Sequence, residues 1–198
     1  MSHAHTADYD GEDVYAKTLF GFWVYLFTDF MLFATLFATY GVLYKSTFGG
    51  PSGAELFCLS YTLVQTFFLL AASITSGVGA AMAHRHQRVP TLVWFGMTFL
   101  LGLCFMGMQM QEFSHLIQTG NSFTRSAFLS AFFTLVGTHT LHIFFGLLWI
   151  LVLLFPVWRH GLTKRCVRRL SCLKMFWQFL NVLWIFIFSI VYLLGGTT

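Results

Sequence analysis

The chain alternates long apolar runs with short polar joints along its 198 residues. Crossing a bilayer as a helix takes about 20 apolar residues, and five runs meet that length: residues 20–43, 57–83, 91–111, 127–155 and 175–195. Apolar side chains surround each run on all sides, whereas a barrel strand alternates between lipid-facing and inward positions. The pattern predicts an all-α integral membrane fold, a single five-helix domain over residues 20–195 behind a polar tail at residues 1–19. That tail carries Asp8, Asp10, Glu12 and Asp13, unlike the cationic start of a signal peptide, so the first helix is expected to be retained. Turn residues mark the joints: Gly49-Gly50-Pro51 with Gly53, then Pro90, then Gly120-Asn121.

Composition agrees and narrows the class. Charged residues are 9% of the chain and hydrophobic ones 57%, with 25 Phe, and the mean hydropathy is +0.73. A soluble protein carries roughly 25% charged residues, so a soluble enzyme, a disordered chain and a disulfide scaffold are all excluded. The net charge of +4 does not signal nucleic acid, because the cations lie in the joints. Their placement sets orientation instead. Lys17, Arg85, Arg88, Arg159, Lys164, Arg165, Arg168, Arg169 and Lys174 fall on one side, against Lys45 and Arg125 on the other. The expected N-terminus is cytoplasmic and the C-terminus periplasmic. The stretch from Arg159 to Lys174 is read as a basic loop that determines topology, within reach of anionic headgroups.

Few residues invite chemistry. Asp29 is tenth in the first run, about 14 Å from its start, which places a carboxyl near the membrane midplane. Such a group is either a proton-binding or regulatory carboxyl or a hydrogen-bonding joint between helices, with Gln65 and Asn181 as candidate neutral partners. His139 and His142 share one face of the fourth helix. Buried imidazoles raise a haem or metal hypothesis, but two on one face cannot grip one iron from opposite sides. Interhelical hydrogen bonding involving Thr138, Thr140 or a neighbouring chain is the expected role. Glu112 and His115 fall where the third run ends, positions suited to capping the helix or meeting a partner, with Glu112 facing water. His3 and His5 sit in a flexible tail and offer a weak metal site at most. Cys58 and Cys104 lie in apolar runs, Cys166 and Cys172 in the basic loop, without metal-site spacing.

Packing signals are stronger. Ala72, Ser76 and Ala80 form a small-residue stripe on the second helix, with Ser73, Gly77 and Ala81 beside it, the pattern that lets helices approach closely in lipid. Trp23, Trp94, Trp158 and Trp177 fall near span ends, where indoles favour the interface.

Five blocks carry a resemblance. The first is Phe22-Trp23-Val24-Tyr25-Leu26-Phe27-Thr28-Asp29, followed by Leu32-Phe33-Ala34-Thr35-Leu36-Phe37-Ala38-Thr39-Tyr40. Next come Ser73-Ile74-Thr75 with Gly77, then Gly107-Met108 with Glu112-Phe113 and His115-Leu116-Ile117. The last two are Gly137-Thr138-His139 with Leu141-His142 and Gly146, then Phe176-Trp177 with Phe179-Leu180, Val182 and Trp184-Ile185. In this order, spanning residues 17–195, the blocks resemble subunit III of the haem–copper terminal oxidases, of the five-helix type found in cytochrome o ubiquinol oxidase.

The resemblance implies a non-catalytic core subunit of a proton-pumping quinol oxidase in the aerobic respiratory chain of a bacterial inner membrane. It implies subunit I as the partner that holds the haems and copper, with subunits II and IV, bound phospholipid, and no cofactor or nucleic acid on this chain. Asp29 fits the carboxylate position of the first block. Gln65, Gln109, Gln178 and Asn181 stand where the family pattern usually has Glu, Glu, His and Asp, and Ser114 replaces a His. Those substitutions remove ionisable groups and keep hydrogen-bonding shape. Two other readings compete: a membrane cytochrome with His139 or His142 as haem ligand, and a stand-alone channel or transporter using Asp29.

Overall fold

A computed structural model describes residues 3–44, 59–120 and 126–194, with backbone alone for residues 3–14, 160 and 194. Among these residues the architecture is all helical: α1 (His3–Leu43), α2 (Leu59–His84), α3 (Arg88–Gln118), α4 (Ala127–His160) and α5 (Lys164–Ile187), the last continuing as a π-helical segment, Phe188–Leu194. All five are long and apolar enough to cross a membrane, and the chain is a multi-pass membrane protein. In lipid the backbone must satisfy its own polar groups, which is why apolar runs of this length close into helices.

Helices α2 to α5 form a closed ring in which each packs on the next and α5 returns to α2. Helix α1 stands outside the ring, against α4 and one edge of α5. It attaches along a narrow seam: Leu26, Phe33 and Tyr40 are buried at seven-residue spacing, while Phe20, Trp23, Phe27 and Met31 remain exposed. The α2–α3 contact uses the small-residue stripe as expected, with Ala72, Ser76 and Ala80 buried. Gly79 completes it, since a Cβ there would lie 3.0 Å from the Phe95 ring. Gly77, by contrast, faces open space. Thr75 and Thr98 join hydroxyls at 2.8 Å across the same contact.

Several expected boundaries move. The helix begins at His3, so the tail expected to be flexible is helical; no proline stands in its path. Pro90 lies in the first turn of α3, where its missing N–H costs no bond, and the α2–α3 turn is residues 85–87, with His86 at φ 58°. The basic loop contracts to residues 161–163. Gly161 at φ 80° ends α4, and the Thr163 hydroxyl accepts from the Cys166 N–H to start α5. Arg165, Arg168, Arg169 and Lys174 therefore ride on the first turns of a helix, where long cationic side chains reach outward from an apolar stem. That shift carries Trp177 inward. Expected at the interface, it is 1% exposed in the core, its indole held between Gly102 and Gly146. Trp23 and Trp158 stay exposed. Lys45, Gly49-Gly50-Pro51, Gly53, Phe57, Cys58, Asn121, Arg125 and Gly195 lie outside the described residues.

Candidate functional site

Two polar centres occupy the bundle. The first joins α1 to α4. Asp29 Oδ2 stands 3.8 Å from His142 Nε2, with both side chains largely covered, and the Tyr25 hydroxyl, one turn earlier, faces the same carboxyl. His142 Nδ1–H donates to the Thr138 carbonyl at 2.8 Å, which fixes the ring and turns Nε2 toward α1. Gln65 and Asn181 are not its partners, contrary to expectation; Gln65 belongs to the second centre and Asn181 lies on α5, nearly buried with Oδ1 unpartnered.

His139, one helical turn earlier, is fully enclosed. Its Nε2–H donates to the Leu180 carbonyl on α5 at 3.1 Å, an interhelical bond as expected, although to a main-chain group. The hydroxyl of Thr140 bonds instead within its own helix, to Val136 O. The rings of Phe33, Phe105 and Trp184 pack around the imidazole, Trp184 with its centroid at 5.2 Å. Nε2 is committed, Nδ1 is buried without a partner, and three aromatic rings crowd the imidazole, a setting for a packed core residue rather than a haem ligand. Among the described residues no three His, Cys, Asp or Glu side chains gather to hold a metal ion.

The second centre was not foreseen. Glu112, expected at a water-facing helix end, lies inside α3 and is held by three neutral donors. Gln109 Nε2 and Gln65 Nε2 donate to Oε2 at 3.1 and 3.3 Å, and the Tyr192 hydroxyl donates to Oε1 at 3.1 Å. The donors come from α3, α2 and the π-helical segment, so one carboxyl ties three parts of the bundle. Near it the Tyr61 hydroxyl donates to the Met108 carbonyl, and Trp184 Nε1–H donates to Thr66 Oγ1 across α5 and α2. A local clue existed: Gln109 and Glu112 are three apart on one helix face. Gln65 and Tyr192 are remote in sequence and gave none.

A cavity of about 330 Å³ opens where α1, α4 and α5 meet. Phe22, Tyr25 and Trp149 form its apolar wall, and Arg168 and Arg169 stand at it from the start of α5.

Such a bundle, with its helices joined by small residues, amides and histidine hydrogen bonds, is a packed helical scaffold in the membrane. The chain matches the family described as cytochrome c oxidase subunit III over residues 3–196. It is 48% identical to cytochrome bo(3) ubiquinol oxidase subunit 3 of Pseudomonas aeruginosa, over 99% of this chain and 95% of the relative. It is 43% identical to cytochrome c oxidase subunit 3 of Bacillus sp. (strain PS3), over 88% and 84%, and 39% identical to quinol oxidase subunit 3 of Bacillus subtilis, over 89% and 87%. The chain belongs to the cytochrome c oxidase subunit III family, a subunit of the haem–copper oxidases.

Proposed function

We propose that the chain is the non-catalytic core subunit III of a proton-pumping haem–copper quinol oxidase of the aerobic respiratory chain. It packs beside subunit I, with subunits II and IV in the same complex, and supports the stability and proton uptake of subunit I. The redox centres reside on subunit I and none on this chain. The near full-length similarity to a bo(3)-type subunit carries this reading, and the enclosed His139 supports it against a cytochrome. The electron donor is a property of the partners: relatives named for cytochrome c and for quinol both match most of this chain, and quinol is favoured because the bo(3)-type relative is the more similar of those compared.

In this reading residues 20–195 form one domain of a bacterial inner membrane, behind a cytoplasmic polar segment at residues 1–19. The clustering of cations at the α2–α3 and α4–α5 turns supports a cytoplasmic N-terminus and a periplasmic C-terminus. The cavity beside Arg168 and Arg169 suits a phospholipid, with an acyl chain along Phe22 and Trp149 and its phosphate at the guanidinium groups. The test is co-purification: an affinity-tagged chain drawn from native membranes should bring a haem–copper subunit with it. Once separated from its partners it should show no Soret band. Recovery alone, or stoichiometric haem on the separated chain, would overturn the proposal.

A further inference from the structure

Several exposed polar side chains on the outside of the bundle find bonds within the chain. Thr28, Thr35 and Thr39 of α1 and Thr134 of α4 return their hydroxyls to carbonyls of their own helix at 2.6–2.9 Å. Gln111 on α3 accepts from the Tyr61 hydroxyl. Gln178 on α5 does neither: it is exposed and, among the described residues, has no hydrogen-bond partner. It stands seven residues beyond Ser171, about 10 Å along the helix, and the Ser171 hydroxyl meets His84 beside the basic α2–α3 turn. The amide is therefore inside the apolar span. Asn181, three residues on and on the same face, is 8% exposed with its Oδ1 buried and unpartnered. Val182 and Ile185 are exposed beside them.

The neighbouring helix leaves room at the same depth. Two hydrogen bonds tie α2 to α5, His84 with Ser171 at 3.1 Å and Trp184 with Thr66 at 3.0 Å. Gly77 on α2 and Gln178 on α5 each lie seven residues inward from the first tie, so they stand level. A Cβ on Gly77 would meet nothing within 4 Å, and no described helix fills that space. Small residues admit a close helix in lipid, and amides hydrogen-bond across helices there. An acyl chain fills such a space but offers the amides no bond, which leaves their polarity uncompensated. Resting on the function proposed above, we infer that Gln178, Asn181 and Gly77 mark the face on which a transmembrane helix of subunit I docks. That helix brings a hydrogen-bonding side chain to the two amides and a close-packed surface to the glycine.

The test replaces Gln178 with a photo-reactive benzophenone amino acid and irradiates the assembled complex in native membranes. Residue 178 should join to the haem-bearing subunit, identified by mass. In parallel, Gly77→Leu and Gln178→Leu should each weaken attachment to the complex by about tenfold, as loss of a well-packed interface contact does. The readout is the amount of this chain retained per haem through a detergent wash. Both variants should still accumulate in the membrane at the wild-type level, because nothing of the chain's own stands in the way at Gly77. Joining of residue 178 to lipid or to a different subunit would overturn the inference, as would wild-type attachment of both leucine variants. If the wild-type chain brings no haem–copper subunit at all, the function proposed above fails and this inference with it. If it does and residue 178 joins elsewhere, only the docking face is wrong.

Discussion

Asp29 on α1 and His142 on α4 face each other across the contact between the two helices, Oδ2 to Nε2 at 3.8 Å. His142 Nδ1–H is committed to Thr138 O. The separation is beyond direct hydrogen bonding, so the two side chains meet at the helix contact without a bond between them.

Asp29→Asn should leave assembly and the initial rate of quinol oxidation nearly unchanged, because the oxygen chemistry lies on another subunit. Effects should surface in proton-pumping yield or in inactivation during sustained turnover. A double-mutant cycle with His142→Asn, read by thermal dissociation of the complex, should give a coupling of about 0.6–1.7 kcal/mol, the range of polar pairs in membrane bundles. A variant that assembles with normal haem and yet loses most of its initial rate would tie this carboxyl directly to the chemistry.

The Trp177 clasp predicts a steric response. A Cβ on Gly102 would lie 2.8 Å from the Leu147 side chain and 3.0 Å from the indole, and one on Gly146 would lie 3.0 Å from the opposite edge. Gly146→Val should destabilise the subunit by about 1–3 kcal/mol through overpacking, and Trp177→Ala by about 3–5 kcal/mol through the cavity it leaves. Combining Gly146→Val with Trp177→Phe should recover part of the loss. Thermal melts of the complex measure this, and an additive double variant would show that these residues do not meet.

Orientation is open to thiol chemistry. Cys166 is partly exposed while Cys172 is buried on α5. With a cytoplasmic N-terminus, a membrane-impermeant maleimide should label Cys166 only after the inner face is opened, and Cys172 slowly or not at all. Labelling of Cys166 in intact cells would reverse the assigned topology.

The spans were legible because membrane crossing is decided by apolar length, a quantity written along the chain. The α2 stripe was legible for the same reason, as a local spacing. Glu112 was misread because Gln109, Gln111 and Glu112 interrupt an apolar run and so mimic a helix end. What keeps the helix buried there is Gln65 on α2 and Tyr192 beyond α5, and no local pattern records such distant donors. Trp177 was misplaced by a related error. The cations before it resemble a loop in composition, yet Thr163 caps a helix that runs straight through them.

The narrow attachment of α1 has a consequence for biogenesis. Roughly eighty residues separate Leu43 from Ala127, where the helix it packs on begins. At about 5–20 residues per second, α1 waits in the bilayer for several seconds before α4 exists. During that interval Asp29 has no His142 to face, and a carboxyl near the midplane costs about 2.5–3.5 kcal/mol. The broad apolar girth of α1, far more than its seam requires, is what lets it remain inserted alone. Leu26, Phe33 and Tyr40 then serve as a late docking edge, and the meeting of Asp29 with His142 marks the moment when α1 ceases to stand alone, with α5 still to close the ring.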